Sequence, residues 1–226
     1  MNEDLTAQGK CLFCNAMFPQ KQIGIHLKKH LALQEKSESA QHTKKFSHIL
    51  IDSGLMFLHV LINDYSKMEL LDSFLRDIWM DCCGHMSGFF TKTSEISMNQ
   101  RIKDVFPDKE KIFYEYDFGT TTQVNLKVLR HYDINMKDHL TLLSRNEPLE
   151  LVCTECEKEY ALHICSVCSY DEYVYLCKKC AKKHEKICED FKDYASMPVV
   201  NSPRMGDCGY TGGVIDTERD GTFQKK

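Results

Sequence analysis

Cysteine spacing constrains this chain more than any other feature of its sequence. Seven of the twelve cysteines lie between residues 153 and 188, and six of these seven form Cys-x2-Cys pairs. In chain order the pattern is Cys153-x2-Cys156-x8-Cys165-x2-Cys168-x8-Cys177-x2-Cys180-x3-His184-x3-Cys188. A Cys-x2-Cys turn directs both sulfurs at one metal, and a structural zinc ion takes four ligands. The eight ligands therefore predict two zinc ions in this segment, which we call the array.

The spacing leaves open which pairs share a zinc ion. The array resembles B-box-like and other cross-braced zinc modules, in which the first and third pairs share one metal and the second and fourth share the other. Sequential pairing is the alternative. A segment of roughly 40 residues cannot bury a sufficient core alone, whereas a structural zinc ion contributes on the order of 10–16 kcal/mol to folding. We expect structural zinc rather than redox chemistry, because no thioredoxin-like strand and helix accompany the pairs.

The cellular compartment decides how paired cysteines are interpreted. The first five residues are acidic and lack the apolar region of a signal peptide. The most apolar stretch, residues 49–62, is interrupted by polar side chains and is too short to cross a bilayer. We therefore expect a cytoplasmic protein without membrane association. In that reducing environment paired cysteines bind metals more often than they form disulfides.

Residues 1–34 contain a further ligand set, Cys11-x2-Cys14-x11-His26-x3-His30. With Phe18 and Ile23 as apolar fillers, this pattern closely resembles the Cys2His2 zinc finger and predicts a third zinc ion. One departure is that 11 residues separate Cys14 from His26, where the usual number is 12. The base-reading helix positions correspond to Pro19, Gln22 and Ile25. Because only Gln22 has a good hydrogen-bonding side chain for base edges, we expect this finger not to read DNA sequence alone.

The region between the ligand sets, residues 46–146, predicts an α+β domain. Residues 56–62 are rich in β-formers, and the apolar positions of residues 71–79 fall on one helical face. Residues 112–118 alternate as a strand, and a turn then leads into a partner strand through 124–128. A further strand is predicted at 140–144, and Tyr114 and Tyr116 are predicted to face the core. Residues 35–45 are predicted as a polar linker, 147–194 as the array and 195–226 as a Gly-rich tail.

A few chemistry-bearing residues lie outside both ligand sets. Cys82, Cys83 and His85 follow the predicted helix, where a thiol and its base, a metal site or simply packed cysteines are possible. Asp117 precedes Gly119 and is a candidate for either a functional role or a turn cap. In the tail, Arg204 and the neighbouring glycines either cradle an anion or belong to a loop that packs back onto the core or the array, and Cys208 is a spare metal ligand.

Several of these motifs together resemble the plasmid pRiA4b ORF-3-like family of bacterial and archaeal proteins, some of which are carried on insertion sequences. The resemblance rests on Leu75–Trp79, Cys82–His85 and Phe113–Gly119, and it covers roughly residues 46–213. A subgroup is also similar in Asn146–Pro148, in the array and in Pro198–Arg204. Many members continue with an acidic residue and a Trp–Glu–His stretch, where this chain has Thr120–Gln123. The resemblance implies an α+β domain and no particular activity.

Three functions remain as hypotheses. The first is a non-catalytic, zinc-binding adaptor that meets a protein or nucleic-acid partner through its zinc modules, with about three zinc ions per chain. The second is a DNA-associated protein linked to mobile elements and using the finger, although a net charge of −4 disfavours generic coating of nucleic acid. The third is an enzyme with a site near Cys82, His85 and Asp117. No catalytic set is complete in the sequence, and no small-molecule substrate is indicated.

Overall fold

The computed structural model describes residues 5–37, 43–106, 111–170 and 172–224. By internal contacts the chain divides into two units. The first, which we call the sheet unit, comprises residues 6–75 and 85–146, and the second, the Cys-rich unit, comprises 1–5, 76–84 and 147–226. Within the described ranges, no helix is both long enough and apolar enough to cross a membrane.

The sheet unit begins with a ββα finger and continues as a seven-stranded antiparallel sheet with short helices. Its elements are β1 (Gln8–Lys10), β2 (Met17–Pro19), α1 (Gln20–Ser37), β3 (Lys44–Ser53), β4 (Met56–Asn63), α2 (Met68–Leu75), β5 (Ser87–Phe90), β6 (Glu95–Ile96), α3 (Ile102–Val105), β7 (Ile112–Tyr116), β8 (Thr122–Ile134) and β9 (Leu140–Arg145). The strand order in the sheet is β6-β5-β7-β8-β3-β4-β9, and each neighbouring pair is antiparallel. The predicted α+β class is therefore confirmed.

Alternating burial along β7 confirms the predicted orientation of its tyrosines. Tyr114 and Tyr116 are fully buried, whereas Phe113 and Glu115 between them are half-buried. The Tyr114 hydroxyl donates a hydrogen bond of 2.8 Å to Asp72 of α2, so the helix is fixed to this part of the sheet by a polar contact as well as by packing. Period-2 alternation of this kind is expected where one face of a strand meets the core.

All eight residues of β4 are buried, which one-sided packing cannot achieve. The finger covers one face of this strand. Gly9 of β1 bridges to Asn146, and a Cβ at Gly9 would lie 2.7 Å from the Phe57 ring. A Cβ at Gly24 of α1 would similarly lie 3.2 Å from the His59 ring. The finger therefore packs directly against the sheet within this unit.

Helix α1 ends beyond the predicted boundary of the finger at residue 34. It continues to Ser37, past the predicted start of the linker at residue 35, while β3 begins at Lys44. Residues 38–42 of the predicted linker lie outside the described residues. Contacts with the sheet account for the three added residues, because Glu35 accepts hydrogen bonds from the Arg130 side chain (3.1 Å) and the Asp133 amide (3.0 Å) of β8.

The Cys-rich unit contains little regular structure. Its elements are a π-helical turn (Arg76–Met80), β10 (His163–Cys165), β11 (Tyr175–Leu176), α4 (Lys178–His184), a second π-helical turn (Phe191–Ala195), β12 (Ser196–Pro198) and a 3-10 turn (Thr217–Arg219). The three strands form an antiparallel sheet in the order β11-β10-β12. The tail packs on the first π-helical turn, where the Ser202 hydroxyl donates to the Trp79 carbonyl at 2.6 Å. A side chain at Gly213 would collide with the Asp77 and Ile78 carbonyls.

Candidate metal centres

The four residues predicted as finger ligands come together in the sheet unit. The ligand atoms of Cys11, Cys14, His26 and His30 all lie within 4.8 Å of one another. The two imidazole Nε2 atoms are 3.1 Å apart, and His26 Nε2 is 3.2 Å from Cys14 Sγ. A tetrahedral zinc ion with ordinary bond lengths needs about 3.3 Å and 3.6 Å between such atoms. The set therefore fits a single ion with shifts of a few tenths of an ångström.

The imidazole rings of His26 and His30 stack on aromatic side chains, and burial affects the protonation of His26. Phe18 stacks on His26 with centroids 3.9 Å apart, and Phe13 stacks on His30 at 5.1 Å. Burial, with the adjacent charges of His30 and Lys29, lowers the pKa of His26. The neutral imidazole that this favours is the form that ligates a metal.

In the Cys-rich unit the eight array ligands form two sets of four. The first set joins the first and third Cys pairs: Cys153, Cys156, Cys177 and Cys180. The second set joins the remaining four residues: Cys165, Cys168, His184 and Cys188. Of the two pairings that the spacing left open, the structure therefore has the cross-braced one.

Sulfur separations across the array match a metal-bound geometry. Cys156 and Cys177 have their sulfurs 3.9 Å apart, and so do Cys165 and Cys188. Four sulfurs around zinc at about 2.3 Å have neighbours about 3.8 Å apart, whereas a disulfide needs about 2.05 Å. Among the described residues, Nε2 of the buried His184 has no hydrogen-bond partner. A metal ion in the second set would satisfy this nitrogen.

Each Cys-x2-Cys segment uses the same backbone turn. The amide four residues after the first cysteine donates to that cysteine's carbonyl, as from Asn15 to Cys11, Glu157 to Cys153 and Ser169 to Cys165. Asn15 and Glu157 have positive φ angles of 60° and 54°, which close the turn. The fourth segment differs in that Cys177 is the N-cap of α4, which directs Cys177 and Cys180 from the start of a helix.

The thiols of the array are too crowded to ionise together without a cation. Burial, with the neighbouring thiols, raises the pKa of Cys168 and of Cys180 to about 12. Cys156 differs, because backbone amides of Glu159 and Lys158 donate to its sulfur and lower its pKa to about 7. A bound divalent ion removes the mutual repulsion of thiolates, so that metal binding and proton release are coupled.

Apolar side chains alone provide a small core for the array. Its buried cluster contains nine residues, of which five are cysteines and two are alanines. Only Leu176 and Phe191 contribute large apolar side chains. A core of this size is typical of domains that depend on metal ions or disulfides, and all twelve cysteines of the chain are free thiols in the structure.

The structure also brings together residues that the sequence placed in separate segments. Cys82, Cys83, His85 and Cys208 form a fourth set with ligand atoms within 4.8 Å of one another. Hydrogen bonding with the Cys208 and Cys82 thiols raises the pKa of Cys83 to about 11. The sequence identified Cys208 only as a spare ligand, since 125 residues separate it from Cys83.

The two remaining candidates from the sequence, Asp117 and Arg204, make different contacts. Asp117 has a φ of 63° and accepts hydrogen bonds from the Gly119 and Thr120 amides, which is the predicted turn cap. Its other carboxylate oxygen lies 3.5 Å from Nε2 of His85. Arg204 is fully buried, with its guanidinium 3.9 Å from both the Cys82 sulfur and the Asp207 carboxylate.

Two polar groups that the sequence did not indicate lie inside the sheet unit. His48 and His59 are both almost fully buried, with Nε2 of the first 2.9 Å from Nδ1 of the second. Ser47 donates to Asp64 at 2.6 Å and also lies 3.0 Å from Nδ1 of His131. In a hydrolytic triad the serine and the aspartate contact opposite ring nitrogens. Here both face Nδ1 and Ser47 is fully buried, so this trio is not arranged as a triad.

No protein-family model and no curated protein sequence matches the chain. Among solved structures, it is similar to the crystal structure of a protein of unknown function, MM3350, from Methanosarcina mazei Go1. The similarity covers 45% of this chain and 67% of that chain, with 13% identity and a TM-score of 0.38. A likeness at this level carries no argument about function.

Proposed function

We propose that this chain is a non-catalytic interaction protein in which zinc ions stabilise the finger and the array. The observation that carries the proposal is the grouping of the twelve predicted ligands into three sets of four. Zinc suits these sets because tetrahedral sulfur and nitrogen donors favour it over harder ions. Four protein ligands complete the coordination of each ion, which is typical of structural rather than catalytic zinc.

A protein is the partner that the Cys-rich unit supports best. Tyr170 and Tyr173 are 94% and 59% exposed. They line an open groove of about 300 Å³, together with Ile164 and Met205 among others. Exposed tyrosines beside apolar side chains are typical of protein interfaces. Residues 147–193 carry 11 acidic residues against 7 lysines, so this segment disfavours nucleic acid and favours a segment with apolar and basic side chains.

Nucleic-acid binding is the second candidate, and the exposed face of α1 favours it. That face carries four exposed lysines and no exposed acidic residue: Lys21, Lys28, Lys29 and Lys36. The apolar face of the same helix is buried through Ile23, Leu27 and Leu31. The lysines are therefore free of the sheet and available to phosphates, which would give salt-dependent and sequence-independent affinity.

We also propose membership of the pRiA4b ORF-3-like family, on the motifs quoted above. The buried Tyr114 and Tyr116 and the turn at Asp117 lie within one of these motifs, Phe113–Gly119. This membership would extend the proposal to a wider set of α+β proteins without assigning an activity to this chain.

Affinity capture with the zinc-loaded full chain tests the proposed function. The groove variant is Tyr170→Ser with Tyr173→Ser, and Tyr194→Ser is the matched control because that tyrosine is 63% exposed and does not line the groove. A protein that is captured by wild type and control, and whose purified form binds the groove variant at least tenfold more weakly, supports the proposal. Identical binding to all three chains contradicts it.

The nucleic-acid candidate needs a separate measurement. Fluorescence anisotropy with a random-sequence duplex at 50 mM and 200 mM salt should show steeply salt-dependent binding that Lys28→Glu with Lys29→Glu abolishes. Salt-independent binding, or binding that this double variant retains, contradicts the role of α1.

A further inference from the structure

The ligand arithmetic of the whole chain points beyond three metal ions. All twelve cysteines belong to one of the four sets, together with four of the ten histidines, so sixteen ligands form four sets of four. Three sets contain the ligands predicted from spacing, and the fourth consists of Cys82, Cys83, His85 and Cys208. This set lies outside the finger and the array, and the proposed function does not use it.

The three thiols of the fourth set have the separations of metal-bound sulfurs. The Cys83 sulfur lies 3.7 Å from that of Cys82 and 3.7 Å from that of Cys208. Tetrahedral zinc requires about 3.8 Å between sulfurs. All three cysteines belong to the Cys-rich unit. Because only Gly84 separates Cys83 from His85, chain connectivity alone keeps the imidazole within reach of the same ion.

Short-range contacts hold the thiols in place. The Asp81 carboxylate accepts a 2.9 Å hydrogen bond from the Gly84 amide, which closes the turn that carries Cys82 and Cys83. On the other segment, Cys208 has a φ of 46° and is flanked by Gly206 and Gly209, both with positive φ. Such backbone is uncommon for a residue with a side chain, and here it brings the Cys208 sulfur to Cys83.

A zinc ion bound by this set would give the site a net negative charge, which a neighbouring cation can compensate. Three thiolates, one neutral imidazole and Zn²⁺ carry a net charge of −1. The buried guanidinium of Arg204 lies 3.9 Å from the Cys82 sulfur and supplies the opposite charge. Asp117 faces Nε2 of His85 at 3.5 Å, which leaves Nδ1 for the metal. A carboxylate that orients a metal-bound histidine in this way is a common outer contact of zinc sites.

We propose that Cys82, Cys83, His85 and Cys208 bind a fourth zinc ion, with Arg204 and Asp117 as positioning residues. Binding converts the thiols to thiolates and releases their protons to water. Cys83 and Cys208 are exposed, whereas Cys153, Cys165 and Cys177 of the array are buried. The fourth ion should therefore exchange with solution chelators faster than the two ions of the array.

Zinc content of the full chain provides the test, measured by native mass spectrometry and by elemental analysis under reducing conditions. Wild type should contain four zinc ions, and Cys208→Ser and His85→Gln should each contain three. His139→Gln is the matched control, because His139 is exposed and belongs to no ligand set, and it should retain four. Three ions in wild type would overturn the proposal.

Asp117→Asn separates a positioning role from a structural one. Asparagine tolerates positive φ and retains the oxygen that accepts from Gly119 and Thr120, so the turn should persist. Loss of the carboxylate should weaken binding of the fourth zinc ion about 10–100-fold and leave the other three ions unchanged. Unchanged affinity at all four sites would remove Asp117 from the site.

Alkylation of the wild-type protein keeps the proposal falsifiable if a variant does not fold. Iodoacetamide labelling, mapped by mass spectrometry, should modify Cys82, Cys83 and Cys208 at least tenfold more slowly with zinc than after a chelator has removed the ions that exchange faster than those of the array. Equal rates in the two states would overturn the proposal. A disulfide between Cys83 and Cys208 that persists under the reducing conditions of the zinc measurement would overturn it as well.

Discussion

The buried pair His48 and His59 should make the sheet unit sensitive to mild acid. Burial lowers the pKa of His48 to about 4, and burial together with the neighbouring His48 lowers the pKa of His59 to about 3. In the unfolded chain both rings return to about 6.5. The folded pair therefore remains neutral at a pH at which the unfolded chain already binds two protons.

The sign and the size of the effect follow from proton linkage. Because the pKa values are lower in the folded state, stability is complete above pH 6.5 and falls as the pH drops from 6.5 towards 4 and 3. At pH 5 each histidine is protonated in the unfolded chain but not in the folded one, which costs about 2 kcal/mol per ring. The pair together should lower the free energy of unfolding by about 4 kcal/mol between neutral pH and pH 5.

A matched variant isolates this contribution from the titration of the metal ligands. His48→Gln with His59→Asn places amide groups where Nε2 and Nδ1 now meet, so a donor and an acceptor remain at the 2.9 Å contact. Urea unfolding of zinc-loaded protein, followed by circular dichroism at pH 7.5 and pH 5, gives the free energy for both chains. The wild type should lose about 4 kcal/mol more than the variant.

Direct titration provides the refuting result. Ring proton shifts of His48 and His59, followed by NMR from pH 7.5 to pH 5, should move by no more than about a tenth of a full titration. A pKa near 6.5 for either ring, or the same loss of stability in both chains, would contradict the reasoning from burial. A Cβ at Gly24 would lie 3.2 Å from the His59 ring, so α1 packs close to the pair and is the first element that charging of the pair should disturb.

Three further predictions concern packing and metal removal. Tyr116→Ala should lower the free energy of unfolding of the sheet unit by roughly 3–5 kcal/mol, since the side chain is fully buried, and a loss below about 1 kcal/mol in urea titration would indicate an open groove instead. Gly9→Ala should cost about 1–3 kcal/mol because its Cβ meets the Phe57 ring, whereas the control Gly221→Ala, with open space around it, should change stability by less than about 0.5 kcal/mol. Chelation of zinc should unfold the array before the seven-stranded sheet, as followed by amide NMR, and simultaneous loss of both would show that the sheet depends on the array's metals.

Local patterns in the sequence predicted four strands of the seven-stranded sheet, β4, β7, β8 and β9, but not β3, β5 or β6. They also identified the residues that form the finger set and the two array sets. Alternation over residues 112–118 predicted β7 and the orientation of its tyrosines, because the period of a strand depends only on neighbouring residues. The Cys-x2-Cys spacing likewise reflects a local turn, which the structure repeats at Cys11, Cys153 and Cys165. Features of this kind are encoded within a few residues.

Local patterns could not predict contacts between residues that are far apart in the sequence. Any two Cys-x2-Cys turns can share a zinc ion, so the spacing allowed both pairings of the array. The end of α1 depends on Glu35 meeting β8, about 95 residues later. Trp79 was expected on a regular helical face, but residues 76–80 form a π-helical turn in which Ile78, Trp79 and Met80 are all buried. Three consecutive buried residues do not fit one stripe of an α-helix.

The interleaved ligand pairs of the array have a consequence for synthesis on the ribosome. The chain emerges from its N-terminus, so the first four cysteines of the array are present once Cys168 has been made. The native first set is complete only at Cys180, twelve residues later. At about 5–20 residues per second, the nascent chain spends on the order of a second with four thiols that suit zinc in the wrong combination.

Should zinc bind these four thiols first, the native partners have to replace the earlier ones. The exchange is favoured as later segments emerge, because Cys165 in β10 pairs with Ser196 in β12 only after both strands exist. Thiolates exchange on zinc without breaking a covalent S–S bond, so an early mispaired set can be corrected without the slow thiol–disulfide exchange that a mispaired disulfide requires. A metal with labile thiolate bonds thus suits a module whose first available ligands are not its final ones.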